Sequence, residues 1–330
     1  MRNLTLDPKE FKKEIQVVME ERRMRTEDKP EGKLFEQFNS TAYRVHPYGN
    51  PIIGWMEDLK GLTVDDVAKW YRRWYAPNNA TLVVVGDVEP KEVLALAKKY
   101  FGPVPRQELK PSNLPAEPPQ TETRRVVVKE PATVPSIILG YHVPVLGQAK
   151  PKWEPYALEV LAGILDGGKS ARFSTELVRN LRIASSAGAG YDAVSRAPSM
   201  FLLNGTPANG HTTAQLEQAL LDQIERVKKE PVNDDELQRV KAQVTASDVY
   251  KRDSVFYQAM EIGMLESSGL SREYVDEYVD RINAITAKQV REVAEKYLVN
   301  SNLTVAVLEP QGFGKARRTP RAIPGGIHGH

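Results

Sequence analysis

The order of apolar and polar positions predicts a chain of helices and short strands in which one unit occurs twice. Residues 63–85 read TVDDVAKWYRRWYAPNNATLVVV and residues 286–308 read TAKQVREVAEKYLVNSNLTVAVL. Each stretch begins with a threonine suited to cap a helix, continues with apolar side chains at helical spacing, turns through asparagines and ends in a β-rich run. The two stretches align without a gap. This pattern predicts two related domains of class α+β, each a mostly antiparallel sheet faced by helices.

Proline marks the boundary between the two predicted domains. Six prolines fall within residues 103–123, a composition typical of an extended linker. We therefore expect residues 1–102 to be the C-terminal part of the first domain and residues 124–311 to be the second, homologous domain. Residues 312–330 are rich in basic residues and glycine, and we expect them to form a flexible tail.

The spacing of the two units also predicts that the first domain is incomplete. The same offset pairs a helix at residues 7–25 with a helix that starts near Asp234. About a hundred residues of the second domain precede that helix and have no counterpart near Met1. Either the chain is the C-terminal part of a longer protein, or another chain completes its first domain. A half sheet with bare edges would be a poor independent fold.

Two carboxylates distinguish the first predicted domain from the second. Glu14 and Glu21 are seven residues apart, so they lie nearly on one line of a helix, beside its apolar stripe. The matching positions in the second domain hold Leu237 and Val244. Because an unpaired buried carboxylate is expensive, the pair needs a metal ion or a network of bases as its partner. The alternative is an ordinary ion-pair network with the nearby bases Arg22, Arg23 and Arg25.

The composition of the chain argues against several classes of binding partner and of chemistry. Lys and Arg number 45 against 43 Asp and Glu, a formal net charge of +2 that gives no reason to expect nucleic acid as a partner. No apolar run is long enough to span a membrane. The absence of cysteine excludes disulfides, Cys-ligated zinc and thiol catalysis. Met1 is not followed by a signal-peptide pattern, so the sequence alone leaves the compartment open.

Three stretches, EIQVVMEERRMRTEDKP, AYRVHPYGNPIIGW and YAPNNATLVVVGDV, resemble the pitrilysin/insulinase family of zinc metallopeptidases. The resemblance extends over nearly the whole chain, and it is strongest to bacterial two-domain members similar to the mitochondrial processing peptidase. It implies repeated α+β domains that enclose a chamber for unfolded peptides. It also implies zinc-dependent metalloendopeptidase activity, the hydrolysis of peptide bonds in peptides or unfolded segments.

The resemblance assigns roles to the two carboxylates. In the family, two histidines of an H-x-x-E-H motif bind zinc, its glutamate activates water, and a later helix supplies a third ligand and a supporting acid. Glu21 resembles that metal ligand and Glu14 the supporting carboxylate. The H-x-x-E-H motif is missing from these 330 residues, so we expect this chain to be an N-terminally truncated form, inactive alone and without a complete zinc site.

The resemblance also implies a substrate-binding pair in the second domain. Family members often carry an arginine and, seven residues later, a tyrosine that hold the substrate backbone. Arg179 matches the arginine, but Ser186 stands at the tyrosine position. Tyr191 is the alternative, although it is equally consistent with an ordinary strand aromatic.

Two functions therefore stay open at this point. The first is a zinc-dependent peptidase, and the second is a non-catalytic partner subunit of a heterodimer of this family. By resemblance we expect a peptide substrate, a homo- or heterodimer with a subunit of the same family, and a periplasmic location.

Overall fold

The computed structural model describes residues 3–109 and 114–312. We refer to residues 3–109 as the first half and residues 124–312 as the second half. Helices are α1 Pro8–Arg22, α2 Pro30–Ala42, α3 Met56–Gly61, α4 Val64–Trp74, α5 Pro90–Phe101, α6 Glu154–Asp166, α7 Thr213–Lys229, α8 Asp234–Arg252, α9 Val255–Ser267, α10 Glu273–Asn283 and α11 Ala287–Tyr297. Strands are β1 Arg124–Pro131, β2 Ser136–Val143, β3 Ala184–Tyr191, β4 Ser199–Pro207 and β5 Leu303–Gln311.

The five strands of the second half form one sheet in the order β1-β5-β2-β4-β3. Only the β1–β5 pair is parallel, and the other pairs are antiparallel. One face of the sheet packs against α6, α7 and α11, and fully buried side chains fill the space between them, among them Ile137, Leu139, Phe201, Leu203, Leu161 and Val293. The α+β class and the mostly antiparallel sheet predicted for this part of the chain are confirmed.

The helix starts predicted from the repeat are present in both copies. Thr63 and Asp66 form a capping box at the start of α4, and Thr286 and Gln289 form the same arrangement at the start of α11. In each box the threonine side chain accepts a hydrogen bond from the backbone N–H three residues later, while that later side chain accepts from the threonine N–H. The two copies therefore begin with the same local structure.

Helix α2 of the first half covers the other face of the second half's sheet. Its buried residues Leu34, Phe38 and Ala42 lie one turn apart and pack against β1, β4 and β5. Gly140 on β2 makes this approach possible, because a Cβ at that position would overlap the Phe38 ring. The two halves therefore share a core, and the sheet has helices on both faces.

The strand predicted at Leu82–Val85 is wrong for the described residues, where this segment is extended but unpaired. Its counterpart, β5, is a strand because β1 and β2 flank it. Without a neighbour, the backbone N–H and C=O groups of the first copy have no ladder to join. Leu82 is 60% exposed, whereas the corresponding Val305 of β5 is completely buried.

Other boundaries differ in smaller ways from the prediction. The helix predicted to start near Asp234 ends at Arg252, and Ser254 caps a further helix, Val255–Ser267. Residues Phe173–Asn180 form a π-helical stretch. The expected tail lies outside the described residues from Phe313 onward. Among the described helices, none combines the length and apolarity needed to cross a bilayer.

Candidate functional site

The two carboxylates singled out from the sequence lie on α1. Asp7 caps this helix through a 2.7 Å hydrogen bond from the Lys9 N–H, and Pro8 occupies the first turn. Glu14 is exposed, and the Glu21 side chain is 41% exposed. Neither carboxylate is buried against the apolar stripe as expected, because no element of the described chain packs over this side of α1.

Glu21 forms an ion pair within its own helix, as the alternative interpretation expected. Its Oε1 is 2.9 Å from Arg25 Nη2. An exposed pair of this kind contributes little stability, so it leaves the Glu21 carboxylate free to exchange partners. In the part of the chain that the structure describes, no three His, Cys, Asp or Glu side chains are grouped so as to hold a metal ion.

The second half shows what covers the corresponding helix when the domain is complete. Leu237 on α8, which matches Glu14, is 6% exposed, and Val244, which matches Glu21, packs against the same core. Helix α6 lies over this face, since a Cβ at Gly163 would be 2.8 Å from Val240. The described first half contains no counterpart of α6. Glu14 and Glu21 therefore occupy positions that a further helix covers in the second half.

Arg22 anchors α1 rather than pairing with Glu14 or Glu21. Its guanidinium donates to both carboxylate oxygens of Glu36 on α2, at 2.8 and 3.1 Å, and lies 5.9 Å from the ring centroid of Trp55. The whole residue is 4% exposed. A two-pronged hydrogen bond fixes direction as well as distance. This buried pair sets the orientation of the helix that carries Glu21.

Arg179 and Tyr191 are not brought together by a hydrogen bond in the described structure. The exposed Arg179 guanidinium donates to the carbonyl of Lys169 at 2.9 Å. The Tyr191 hydroxyl donates to the carbonyl of Pro144 at 2.5 Å, and burial raises the pKa of this tyrosine. Ser186, at the position where a tyrosine was expected, is an exposed residue of β3 paired in register with Thr206.

Sequence reasoning missed the role of Glu117 in the proline-rich segment. Its carboxylate accepts hydrogen bonds from three successive backbone N–H groups, those of Arg44, Val45 and His46, at 2.8, 3.0 and 3.0 Å. Burial by itself would raise the pKa of Glu117, but these three donors together outweigh it and lower the pKa. The segment is therefore bound to the loop after α2. No signal in the sequence set Glu117 apart from Glu108 and Glu122 in the same proline-rich run.

Glu117 should make stability depend on pH. Since its pKa is lower in the folded chain, its contribution is present above the ordinary glutamate pKa of 4.5 and is lost as the pH falls through the folded value. We expect Glu117→Gln to lower the free energy of unfolding by about 1–3 kcal/mol at pH 7 and by less at pH 4. Urea unfolding at both pH values measures this difference. Glu122→Gln, an exposed change in the same segment, is the control, and equal losses for both variants at pH 7 would contradict the assignment.

Another partly buried acid with a shifted pKa lies in the second half. Glu159 on α6 accepts a short hydrogen bond from the Tyr278 hydroxyl on α10, and burial raises the pKa of Glu159. The sequence offered a signal for it, a single charge inside the otherwise apolar run YALEVLAGIL. The hydrogen bond joins α10 to α6, which is a structural role.

Comparisons with known proteins agree on one family. The family model described as "Peptidase M16 inactive domain" matches residues 61–244. The zinc protease PqqE of Helicobacter pylori is 31% identical over 322 residues, which are 94% of this chain and 69% of that protein. A protein of Rickettsia felis described as an uncharacterized zinc protease is 25% identical over 313 residues, which are 94% of this chain and 72% of that protein.

Solved structures show the same fold. A crystal structure of a protease from Helicobacter pylori has a TM-score of 0.87 and 30% identity, and the match covers 93% of this chain and 74% of that one. The periplasmic protease PqqL of Escherichia coli has a TM-score of 0.72 and 18% identity over 93% of this chain and 35% of that one. This last likeness is one of fold alone.

Proposed function

Because the chain belongs to the M16 peptidase family, we propose that it forms part of a zinc-dependent metalloendopeptidase that hydrolyses peptide bonds in peptides or unfolded segments. The observation that carries this proposal is the difference between the two copies of one helix. The first copy, α1, carries Glu14 and Glu21 at the positions where the second, α8, carries Leu237 and Val244. Helix α6 covers these positions on α8, and packing alone gives no reason for two acids at the equivalent positions of α1.

In this proposal Glu21 is a zinc ligand and Glu14 supports it. Zinc peptidases use three protein ligands and leave one coordination position for water, whose pKa the metal lowers. A second carboxylate near a ligand orients it and adjusts its basicity. Since the 330 residues contain no H-x-x-E-H motif, the histidines and the catalytic glutamate would come from polypeptide outside them. Arg179 and Tyr191 are the candidates for contacts to the substrate backbone.

The second candidate function is a non-catalytic subunit that assembles with an active partner. The match to a family model described as an inactive domain favours it, as does Ser186 at the expected tyrosine position. The Glu21–Arg25 ion pair is compatible with this candidate too. Under either function we propose a homo- or heterodimer with a subunit of the same family.

Two further proposals rest on the resemblance. We propose a periplasmic location, because a periplasmic protease shares the fold. We also propose that residues 1–102 and 124–311 are the two domains, joined by residues 103–123. The structure adds that α2 of the first unit packs on the sheet of the second.

Replacing Glu21 tests the peptidase proposal. In the protein assembled with the polypeptide that supplies the histidines, Glu21→Gln should weaken zinc binding by at least about a hundredfold, because it removes a direct ligand. Glu14→Gln should weaken it by about 10–100-fold, the usual effect of removing a supporting group. Zinc content by mass spectrometry and a competition titration with a chelator measure both effects.

The matched control for this test is Glu20→Gln. Glu20 is the neighbouring residue, 56% exposed at its side chain, and it forms a comparable surface pair with Arg23. It should bind zinc like the wild type. Zinc binding and peptidase activity that Glu21→Gln leaves unchanged would refute the ligand role and favour the non-catalytic subunit.

A further inference from the structure

A histidine shapes the loop at residues 43–50, which follows α2 and which we call the α2 loop. The Nδ1 atom of His46 accepts a hydrogen bond from the backbone N–H of Tyr48 at 3.2 Å, and this contact begins the short 3₁₀ turn Pro47–Gly49. His46 is 7% exposed. A neutral imidazole carries one proton, and since Nδ1 accepts here, that proton is on Nε2. The turn therefore requires the neutral form of His46.

A second proton on His46 would break this contact. In the imidazolium ion both ring nitrogens carry a proton, so Nδ1 becomes a donor and no longer accepts from the Tyr48 N–H. Two N–H groups would then face each other, and a positive charge would lie in a nearly buried position. Both effects disfavour the protonated ring as long as the turn is formed. The geometry therefore couples the charge of His46 to the conformation of the α2 loop.

The charged and titratable groups around His46 and the nearby Glu117 come from several elements. They are Tyr43, Arg44 and Tyr48 of the α2 loop, Glu117 of the proline-rich segment, Arg124 of β1, His142 of β2, Arg196 of the β3–β4 loop and Lys296 of α11. Among these groups Glu117 carries the negative charge that favours a protonated His46. Burial outweighs it, so the pKa of His46 is lowered from its ordinary value of 6.5.

The α2 loop also holds the proline-rich segment and the β3–β4 loop in place. Glu117 accepts hydrogen bonds from three of its backbone N–H groups, and the Tyr48 hydroxyl is 2.8 Å from Ser195 Oγ. These contacts border a cavity of about 580 Å³, whose lining includes His46, Glu117 and His142. Loss of the turn would displace Tyr48 and the N–H groups that bind Glu117. The cavity would then open on the side of the proline-rich segment.

The contacts that hold α2 itself do not depend on His46. Leu34 and Phe38 pack on the sheet through apolar surface, which does not titrate. The carbonyl of Ala42 accepts from the permanently charged Arg124 at 2.6 Å and from His142 Nε2 at 3.0 Å. A second proton on His142 would go to Nδ1 and leave this hydrogen bond intact. Opening is therefore confined to the α2 loop and to residues 114–120.

We propose that His46 is a pH-sensitive switch: when its ring takes up a second proton, the turn at residues 46–49 opens, the contacts of Glu117 with the α2 loop break, and the cavity beside β2 widens. Since the pKa of His46 is lower in the closed loop, the closed form loses stability as the pH falls below 6.5. Glu117 stays ionised just below this pH, because its own pKa is lowered from 4.5. The switch does not depend on the peptidase proposal.

The substitution His46→Asn tests the switch, because an asparagine oxygen accepts from the N–H two residues later but does not titrate. Amide hydrogen exchange of the full chain, corrected for intrinsic rates, measures opening at Arg44, Val45 and Tyr48. Between pH 7.5 and 5.5 we expect wild-type protection factors to fall about three- to tenfold, since pH 5.5 is about one unit below the ordinary histidine pKa. In His46→Asn they should change less than about twofold, because the group whose protonation opens the turn is gone.

The matched control is His211→Asn, which removes a histidine from the loop between β4 and α7. It should keep the wild-type pH dependence of the α2 loop. Cooperative thermal unfolding at pH 7.5 shows that both variants fold. The imidazole NMR signals of the wild type give a second readout that needs no stable variant beyond assignment, and the His46 signal should titrate below pH 6.5.

Three outcomes would overturn the proposal. The first is a His46 signal that titrates at pH 6.5 or above. The second is a set of wild-type protection factors in the α2 loop that does not change with pH. The third is a pH dependence in His46→Asn equal to that of the wild type, which would assign the effect to another group such as His142.

Discussion

Replacing Phe38 with alanine is expected to lower the free energy of unfolding by about 3–5 kcal/mol, the usual cost of removing a buried aromatic side chain. Phe38 is completely buried between α2 and the sheet of the second half, with Leu34, Met200 and Leu308 in the same cluster. The variant therefore leaves a cavity at the interface that joins the halves. Urea unfolding followed by circular dichroism measures the loss.

The control for Phe38 lies on the same helix. Phe35 is 47% exposed, and its replacement with alanine should cost less than about 1 kcal/mol. Gly140→Ala provides a second check, because its Cβ would overlap the Phe38 ring. It should destabilise the wild type more than it destabilises the Phe38→Ala variant, since neighbouring changes are not additive. Equal losses for Phe35→Ala and Phe38→Ala would contradict the packing of α2 on this sheet.

Replacing Arg22 with methionine should also cost about 3–5 kcal/mol, because it leaves the Glu36 carboxylate buried without its partner. The side chains of Arg22 and Glu36 are only 5% and 10% exposed, and two hydrogen bonds join them. Since this pair anchors α1 to α2, we also expect faster amide exchange along α1. Urea unfolding and hydrogen exchange by mass spectrometry measure the two effects.

The neighbouring Arg23 gives a matched comparison. Its ion pair with Glu20 is exposed, and Arg23→Met should cost less than about 1 kcal/mol. Adding Glu36→Gln to Arg22→Met should restore part of the lost stability, because it removes the unpaired charge. An Arg22→Met variant as stable as Arg23→Met would show that the buried pair does not hold α1 in place.

Local pattern was enough to predict most helices of this chain. Thr63 and Thr286 begin helices in both copies because their side chains satisfy N–H groups that any helix start leaves free. Such signals depend only on residues a few positions apart. The same is true of the apolar spacing that predicted α4 and α11.

Local pattern alone could not predict whether Leu82–Val85 forms a strand. A β-rich run becomes a strand only when another strand pairs with it, and that depends on residues far away in sequence or in another polypeptide. The matching run in the second copy is the strand β5, because β1 and β2 pair with it.

Local sequence pattern also does not determine which residue each charged side chain contacts. The sequence placed three arginines near Glu14 and Glu21, and the structure distributes them differently: Arg25 contacts Glu21, Arg23 contacts Glu20, and Arg22 is buried against Glu36. Only the tertiary arrangement decides these contacts, so Glu117 and Arg22 were missed as organising residues.

The packing of α2 on the sheet of the second half has a consequence for the order of folding during synthesis. Phe38 is made long before Ala306 and Leu308, which complete its environment. The apolar face of α2 therefore stays uncovered while the residues between them emerge from the ribosome. Contacts of such long sequence separation form slowly and expose the nascent chain to aggregation.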